Sequence, residues 1–245
     1  MSMDSTPAPI SGAEISGAAP QRKWQPMNSI QRRIVGVLVE KAKTTPEQYP
    51  LTLNSLITGC NQKSNRDPQM NVDGERVETA IEELRRIGAV IELQSGGRVA
   101  KYKHCLYEWL GVDKVELAVV AELLLRGEQT VGELRGRAAR MEPIADLNAL
   151  KPVLQSLIQK GLVVELTPEG RGQVVAHALY RPQELDELKV RYRDAAVSSP
   201  DESEPAAGRT SSGKSSAIDE LRAEVAELRA EVESLRAKVA QLLGP

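Results

Sequence analysis

The sequence predicts a mainly α protein with small β-hairpins, an α+β chain made of two tandem winged-helix domains followed by a C-terminal coiled-coil helix. Three observations carry this expectation. Residues 73–107 recur without a gap as residues 146–180, with 11 of 35 aligned positions identical, among them Asp73/Asp146, Gly88/Gly161, His104/His177 and Tyr107/Tyr180. A repeat of that length is one supersecondary unit used twice. Within each unit an apolar stripe of helical period gives way to two strand-like runs separated by a turn. Residues 217–245 carry a clean heptad. The expected boundaries are a disordered tail (1–20), the first winged helix (21–110), the second (111–183), a helix end and flexible linker (184–216) and the coiled coil (217–245).

In chain order, the first 20 residues are rich in Ala, Pro, Ser and Gly without apolar periodicity, which predicts disorder. Ile30, Ile34, Val37 and Leu38 then mark one helix, and Leu53, Leu56, Ile57 and Cys60 a second. Thr44-Thr45-Pro46 and Tyr49-Pro50 make the connection between them stiff and extended. Asp73 stands at a helix N-cap, with Val72 and Val77 spaced as a hydrophobic staple around it. Val77, Ala80, Ile81, Leu84 and Ile87 form the stripe of the third helix, and Gly88 is the left-handed residue that ends it. Ala89–Leu93 reads as a strand, Ser95-Gly96-Gly97 as a turn, and Arg98–Leu106 as the returning strand.

The second copy repeats this plan. Leu117, Val120, Ala121 and Leu124 mark its first helix, and Val131, Leu134 and Ala138 its second. Asp146 caps the third, whose stripe is Leu147, Leu150, Leu154 and Leu157, and Gly161 ends it. Strands over Leu162–Leu166 and Gln173–Leu179 flank the turn Pro168-Glu169-Gly170. Pro152 lies inside this third helix and removes a backbone donor there, so either the helix starts late, near Lys151, or its first turn is kinked.

Composition excludes several classes. No stretch reaches the ~20 apolar residues of a membrane helix, and no basic start precedes an apolar signal run, so the expected compartment is the cytoplasm. Cys60 and Cys105 are far apart and outside any C-x-x-C spacing, which gives no support to a disulfide framework or a zinc site. The net charge is −2, yet from Gln21 to Tyr107 there are 14 Lys/Arg against 9 Asp/Glu, while from Glu108 to Tyr180 there are 8 against 10. A basic first half of this size is a modest pointer to a polyanion.

The run GVLVEKAKTTPEQYPLTLNSLITGCNQKSNRDP (36–68), RVAKYKH (98–104) and LLLRGEQTVGELRGRAARM (123–141) resemble the signature of the YceH-like family of bacterial proteins. The similarity extends over about residues 28–180. It implies a tandem winged-helix fold and carries no established catalytic or ligand residue.

Within that signature, Asn61, Gln62, Lys63, Ser64, Asn65 and Arg66 lead a polar run to Pro68 between the second and third helices. Two readings stand. One is a binding loop, with Lys63 and Arg66 for phosphate or acidic groups and the amides for polar recognition. The other is a self-bonded turn whose Asn and Asp side chains cap helix ends. Beyond the linker, Ile218, Val225, Val232 and Val239 alternate with Leu221, Leu228, Leu235 and Leu242. β-Branched residues at one core position and Leu at the other favour a parallel two-stranded coiled coil, hence a homodimer. Glu224 and Glu231 would face Arg229 and Arg236 of an in-register partner. A single amphipathic helix folded back on its own domain is the alternative.

Winged helices most often bind duplex DNA, with the third helix in the major groove and the hairpin on phosphates. Lys63, Arg66, Arg98, Lys101 and Lys103 support this in the first copy, and Arg135, Arg137 and Arg140 in the second. Against it, the face opposite the first copy's stripe carries Glu75, Thr79, Glu82 and Arg86. The equivalent face of the second offers Asn148, Pro152, Gln155 and Gln159, whose amides could read adenine edges. The expected function is therefore a dimeric nucleic-acid-binding protein without catalytic activity or cofactor, and the alternative is a protein–protein adaptor. A continuous positive stripe would favour DNA, an exposed apolar patch a partner protein. An enzyme is not expected: there is no phosphate loop, metal cluster or nucleophile with a base, and His104 and His177 read as structural hydrogen-bonders fixed by the repeat.

Overall fold

A computed structural model describes residues 24–94 and 99–197. The predicted tail (1–20), the turn at Ser95-Gly96-Gly97, Arg98 and the whole coiled-coil segment lie outside the described residues.

The chain is mixed α/β and mostly helical, with two small antiparallel sheets. The first half runs α1 (Ser29–Thr44), a 3-10 turn (Pro46–Gln48), β1 (Leu51–Thr52), α2 (Leu53–Cys60), α3 (Gly74–Arg86), β2 (Val90–Leu93) and β3 (Lys101–His104). A short α4 (Leu106–Leu110) closes at Gly111, whose φ of +67° suits glycine. The second half repeats the order as α5 (Lys114–Arg126), β4 (Gln129–Thr130), α6 (Val131–Ala138), α7 (Leu147–Gln159), β5 (Val163–Glu165) and β6 (Val174–His177), with α8 (Pro182–Val197) following.

The repeat holds in three dimensions with the register read from the sequence. In both halves the third helix begins one residue after its aspartate. Asp73 accepts from Arg76 N at 2.9 Å and Asp146 from Ala149 N at 2.8 Å. Both helices end in the same double bond. Ala89 N donates to Leu84 O and Gly88 N to Arg85 O; Leu162 N donates to Leu157 O and Gly161 N to Ile158 O. The glycines sit at φ +76° and +68°, the left-handed C′ position. Val90 pairs with His104, and Val163 with His177.

Four expectations change. The strands are shorter than their apolar runs. Two-residue strands, β1 and β4, add a third member to each sheet, in the orders β1-β3-β2 and β4-β6-β5; their brevity leaves no period to read. The helix containing Pro152 does not start late: α7 begins at Leu147 and accommodates the proline at an exposed position. Leu147 leaves the predicted stripe, being 47% exposed, while Leu150, Leu154 and Leu157 are buried.

The first helices pack directly on each other. Gly36 of α1 lies so close to α5 that an added Cβ would stand 3.0 Å from Leu125. Consequently α1 is buried continuously from Arg32 to Glu40, and α5 from Glu116 to Leu125, rather than along one stripe. A single aliphatic core, with no Phe, extends through both halves. Both buried helices carry ionised groups into it, and these need partners.

Candidate functional site

The polar run between α2 and α3 is largely spent on the fold. Asn61 closes a two-way bond with the backbone of Val72, donating to its O and accepting from its N at 2.8 Å each. Asn65 stands at φ +59°, the one described non-glycine residue with positive φ, and accepts from Arg126. Arg66 is buried. Its guanidinium grips Glu40 of α1 at 2.6 and 3.2 Å and donates to Gly59 O at 2.9 Å and Asn65 O at 2.7 Å. The expectation that Arg66 meets phosphate is therefore corrected: a buried, fully engaged guanidinium offers nothing to a ligand. Gln62 bonds Ser64 within the loop, and Lys63 and Ser64 stay exposed.

The second-half arginines are bonded to neighbouring groups, Arg140 while remaining exposed. Arg135 donates to Ala145 O, and Arg137 to Gln129 at 2.7 Å and Glu133 at 3.2 Å. Arg140 reaches the carboxylate of Glu122 at 3.4 Å, which Arg126 also meets at 3.1 Å. Burial pushes the Glu122 carboxyl up, against the pull of these arginines. Lys101 and Lys103 remain exposed on β3. Of the described basic residues expected at the site, Arg66 is buried, Arg137 and Arg140 are paired with carboxylates, and Lys63, Lys101 and Lys103 are exposed.

The histidines occupy matched places and are buried. His104 Nδ1 accepts from Leu106 N at 3.4 Å, and burial, reinforced by Lys103 and Lys43, holds its pKa down at about 4. His177 stacks on Tyr180 at 3.9 Å. Its Nδ1 has no partner in another residue among the described ones, and burial with Arg32 nearby keeps the ring neutral. Burial likewise raises the Cys60 thiol to about 12, leaving it an inert core group. Among the described residues no group of three or more His, Cys, Asp or Glu is arranged to hold a metal, and no helix is long and apolar enough to cross a membrane.

A surface concavity of about 930 Å³ lies in the second half between α7, the start of α6 and the β5–β6 pair. Leu154 and Val175 are buried in its floor, with Val131 and Ile158 half-buried beside them and Leu147 exposed. Three amides, Gln155, Gln159 and Gln173, stand around it. Its charges cancel: Lys151 pairs with Glu169 at 3.5 Å, and the wall carries one further cation, Arg171, and one further anion, Glu165. This groove was not among the sites expected from the sequence. Its signal was the surplus of apolar residues (Val131, Leu147, Ile158) beyond what one buried stripe needs.

The chain is similar to UPF0502 proteins of several bacteria. That of Rhodopirellula baltica is 55% identical over 199 residues, covering 80% of this chain and 83% of that protein. That of Pelobacter propionicus is 50% identical over 157 residues, covering 62% and 72%. That of Geobacter metallireducens is 49% identical over 157 residues, again 62% and 72%. Residues 27–172 match the profile of DUF480, described as a protein of unknown function. In keeping with the YceH-like resemblance, the chain belongs to this bacterial family of unknown function, DUF480.

Proposed function

We propose that this chain is a non-catalytic adaptor that binds a segment of a partner protein in the groove of its second half. The two halves are taken as winged helices, with α7 as the third helix and β5–β6 as the hairpin. The observation that carries the reading is the apolar floor of the groove combined with Leu147 at 47% exposure on its edge. A leucine exposed at the first turn of a third helix suits an apolar side chain better than a phosphate. The amides of Gln155 and Gln159 can pair with the main chain of an inserted peptide, Gln173 being bonded to Glu165 at 2.6 Å, and the cancelled charges favour a partner segment of low net charge. Dimerisation through residues 217–245 belongs to the same proposal and would present two grooves at once, raising avidity without new contacts.

Duplex DNA is the second reading, and one observation favours it: the exposed face of α7 (Asn148, Lys151, Gln155, Gln159) carries no carboxylate. One experiment separates the two. Wild-type chain, Leu147→Glu and the Lys101→Glu/Lys103→Glu double variant are compared for nuclease-treated partner capture, and for fluorescence anisotropy with a mixed-sequence duplex at low and physiological salt. The adaptor reading expects capture lost in Leu147→Glu alone, with only weak, salt-sensitive duplex binding. Duplex binding that survives physiological salt, with capture unaffected by Leu147→Glu, would overturn it.

A further inference from the structure

A second cavity of about 530 Å³ opens where the two halves meet. Its wall is assembled from the first turns of α1, the residues leaving the polar loop, the end of α5, the residues after β6, and α8. It shares no lining residue with the groove described above, so a ligand in this cavity is independent of the adaptor reading.

Four arginines line it, and three of them meet a carboxylate. Arg32 forms a two-pronged pair with Glu184 at 2.7 and 2.9 Å, Arg191 meets Glu128 at 2.7 Å, and Arg126 meets Glu122. Arg33 differs. It is 1% exposed, and no carboxylate forms an ion pair with it among the described residues. Its terminal nitrogens donate to two backbone carbonyls, Cys60 O at 3.1 Å and Pro68 O at 2.7 Å, its Nε has no partner among the described residues, and Asp67 and Glu40 act on it only from beyond ion-pair distance. Asp67, a carboxylate of the same wall, is exposed to water. A buried guanidinium without an anion is costly, and chains normally compensate it. His177, also in this wall and 1% exposed, has a second orphaned atom, Nδ1. Arg33 Nε and His177 Nδ1, two buried atoms of one wall without a partner among the described residues, describe part of a recognition site that a ligand can complete.

We propose that this cavity binds a small organic anion. Its acid group is met by Arg33 and His177, and its apolar body lies against Met70, Leu124 and Tyr192. Arg33 supplies the charge, and the neutral imidazole donates from Nδ1. The volume falls within the usual range for metabolite-sized ligands. Because the walls come from both halves, the occupied site would tie α1 and the polar loop to α5 and α8, placing an effector at the junction.

The test uses the full chain labelled with 15N-histidine. There are only two histidines, so each imidazole reports separately. Phenyl phosphate, benzoate and inorganic phosphate are titrated to millimolar concentrations at constant ionic strength. The expected result is a saturable shift of the His177 resonances with His104 unmoved, accompanied by a higher melting temperature. Phenyl phosphate against benzoate identifies a phosphoryl or a carboxylate ligand, and each against inorganic phosphate shows the contribution of the apolar body. Met70→Trp, which fills the cavity from its half-buried side, should abolish the shift. Arg33→Met should do the same if it folds; if it does not fold, Met70→Trp decides. Unmoved His177 with all three probes, equal movement of both histidines, or an undiminished shift in folded Met70→Trp would overturn the proposal.

Discussion

Replacing Arg66 with alanine is expected to cost the fold about 3–5 kcal/mol, the usual penalty for removing one member of a buried ion pair. The side chains of Arg66 and Glu40 are 0% and 9% exposed, and their closest approach is 2.6 Å. Truncation would leave the Glu40 carboxylate in the α1–α5 core without its cation. It would also strip a donor from Gly59 O and Asn65 O. An unmet buried acceptor alone costs about 1–3 kcal/mol. For a folded region of this size the loss corresponds to roughly 6–20 °C in melting temperature. The assay is guanidinium unfolding of the full chain, comparing midpoints at constant slope, with two companions. Lys63→Ala, in the same loop and exposed, should stay within about 0.5 kcal/mol of wild type. Glu40→Leu/Arg66→Met should be markedly more stable than Arg66→Ala, because it removes both charges together. An Arg66→Ala chain within about 1 kcal/mol of wild type would refute the structural role given to this residue.

Three further outcomes are expected. Burial depresses the His104 pKa to about 4 from 6.5. The neutral ring therefore contributes stability that is complete above about pH 6.5 and lost as the pH falls toward 4, by roughly 3 kcal/mol. Denaturation midpoints that stay flat over that window, or a His104→Gln chain with an unchanged slope, would contradict this. Gly59→Ala should destabilise by about 1–3 kcal/mol despite alanine's better helix propensity, because its Cβ would stand 2.6 Å from Cγ1 of Val37; partial recovery in Gly59→Ala/Val37→Ala, measured by thermal melts, checks the cause. Deleting residues 217–245 should halve the mass in solution by light scattering, and an unchanged mass would eliminate the zipper.

The features legible in the sequence are those that short-range chemistry determines. The caps at Asp73 and Asp146 and the helix stops at Gly88 and Gly161 depend on a few neighbouring residues, and the two copies corroborate each other. Length and partner were not legible. β1 and β4 are two residues each and exist only because β3 and β6 lie beside them. Leu147 satisfies helical spacing, yet none of the described residues of the second half buries it. The arginine doublet Arg32-Arg33 sits in an apolar run with no acid nearby in sequence. Apart from Met27 O, five residues away, its partners, Glu184 and the carbonyls of Cys60 and Pro68, come from 27 to 152 residues away. The loop offered two readings, and for Asn61, Asn65 and Arg66 the geometry selects the structural one, leaving Lys63 and Ser64 exposed.

The repeat explains why the charge count overstates the free basic groups of the first half. Glu40 and Glu122 each stand four residues before the last residue of the first helix in their half, and both are buried where α1 meets α5. Each acid in that core demands a guanidinium. Arg66 answers one, and Arg126 with Arg140 answers the other; Arg66 and Arg140 both come from the loop or turn that follows the second helix of their half. Arg66, Arg126 and Arg140, which look available in sequence, are therefore committed to buried acids. Subtracting them leaves Lys63, Lys101 and Lys103 as the exposed cations in the described part of the predicted first-half site, too few for tight phosphate binding on their own. The same subtraction isolates Arg33, which the shared core buries without an acid at ion-pair distance among the described residues. The interface that weakens the nucleic-acid reading thus also creates the buried positive charge on which the anion site depends.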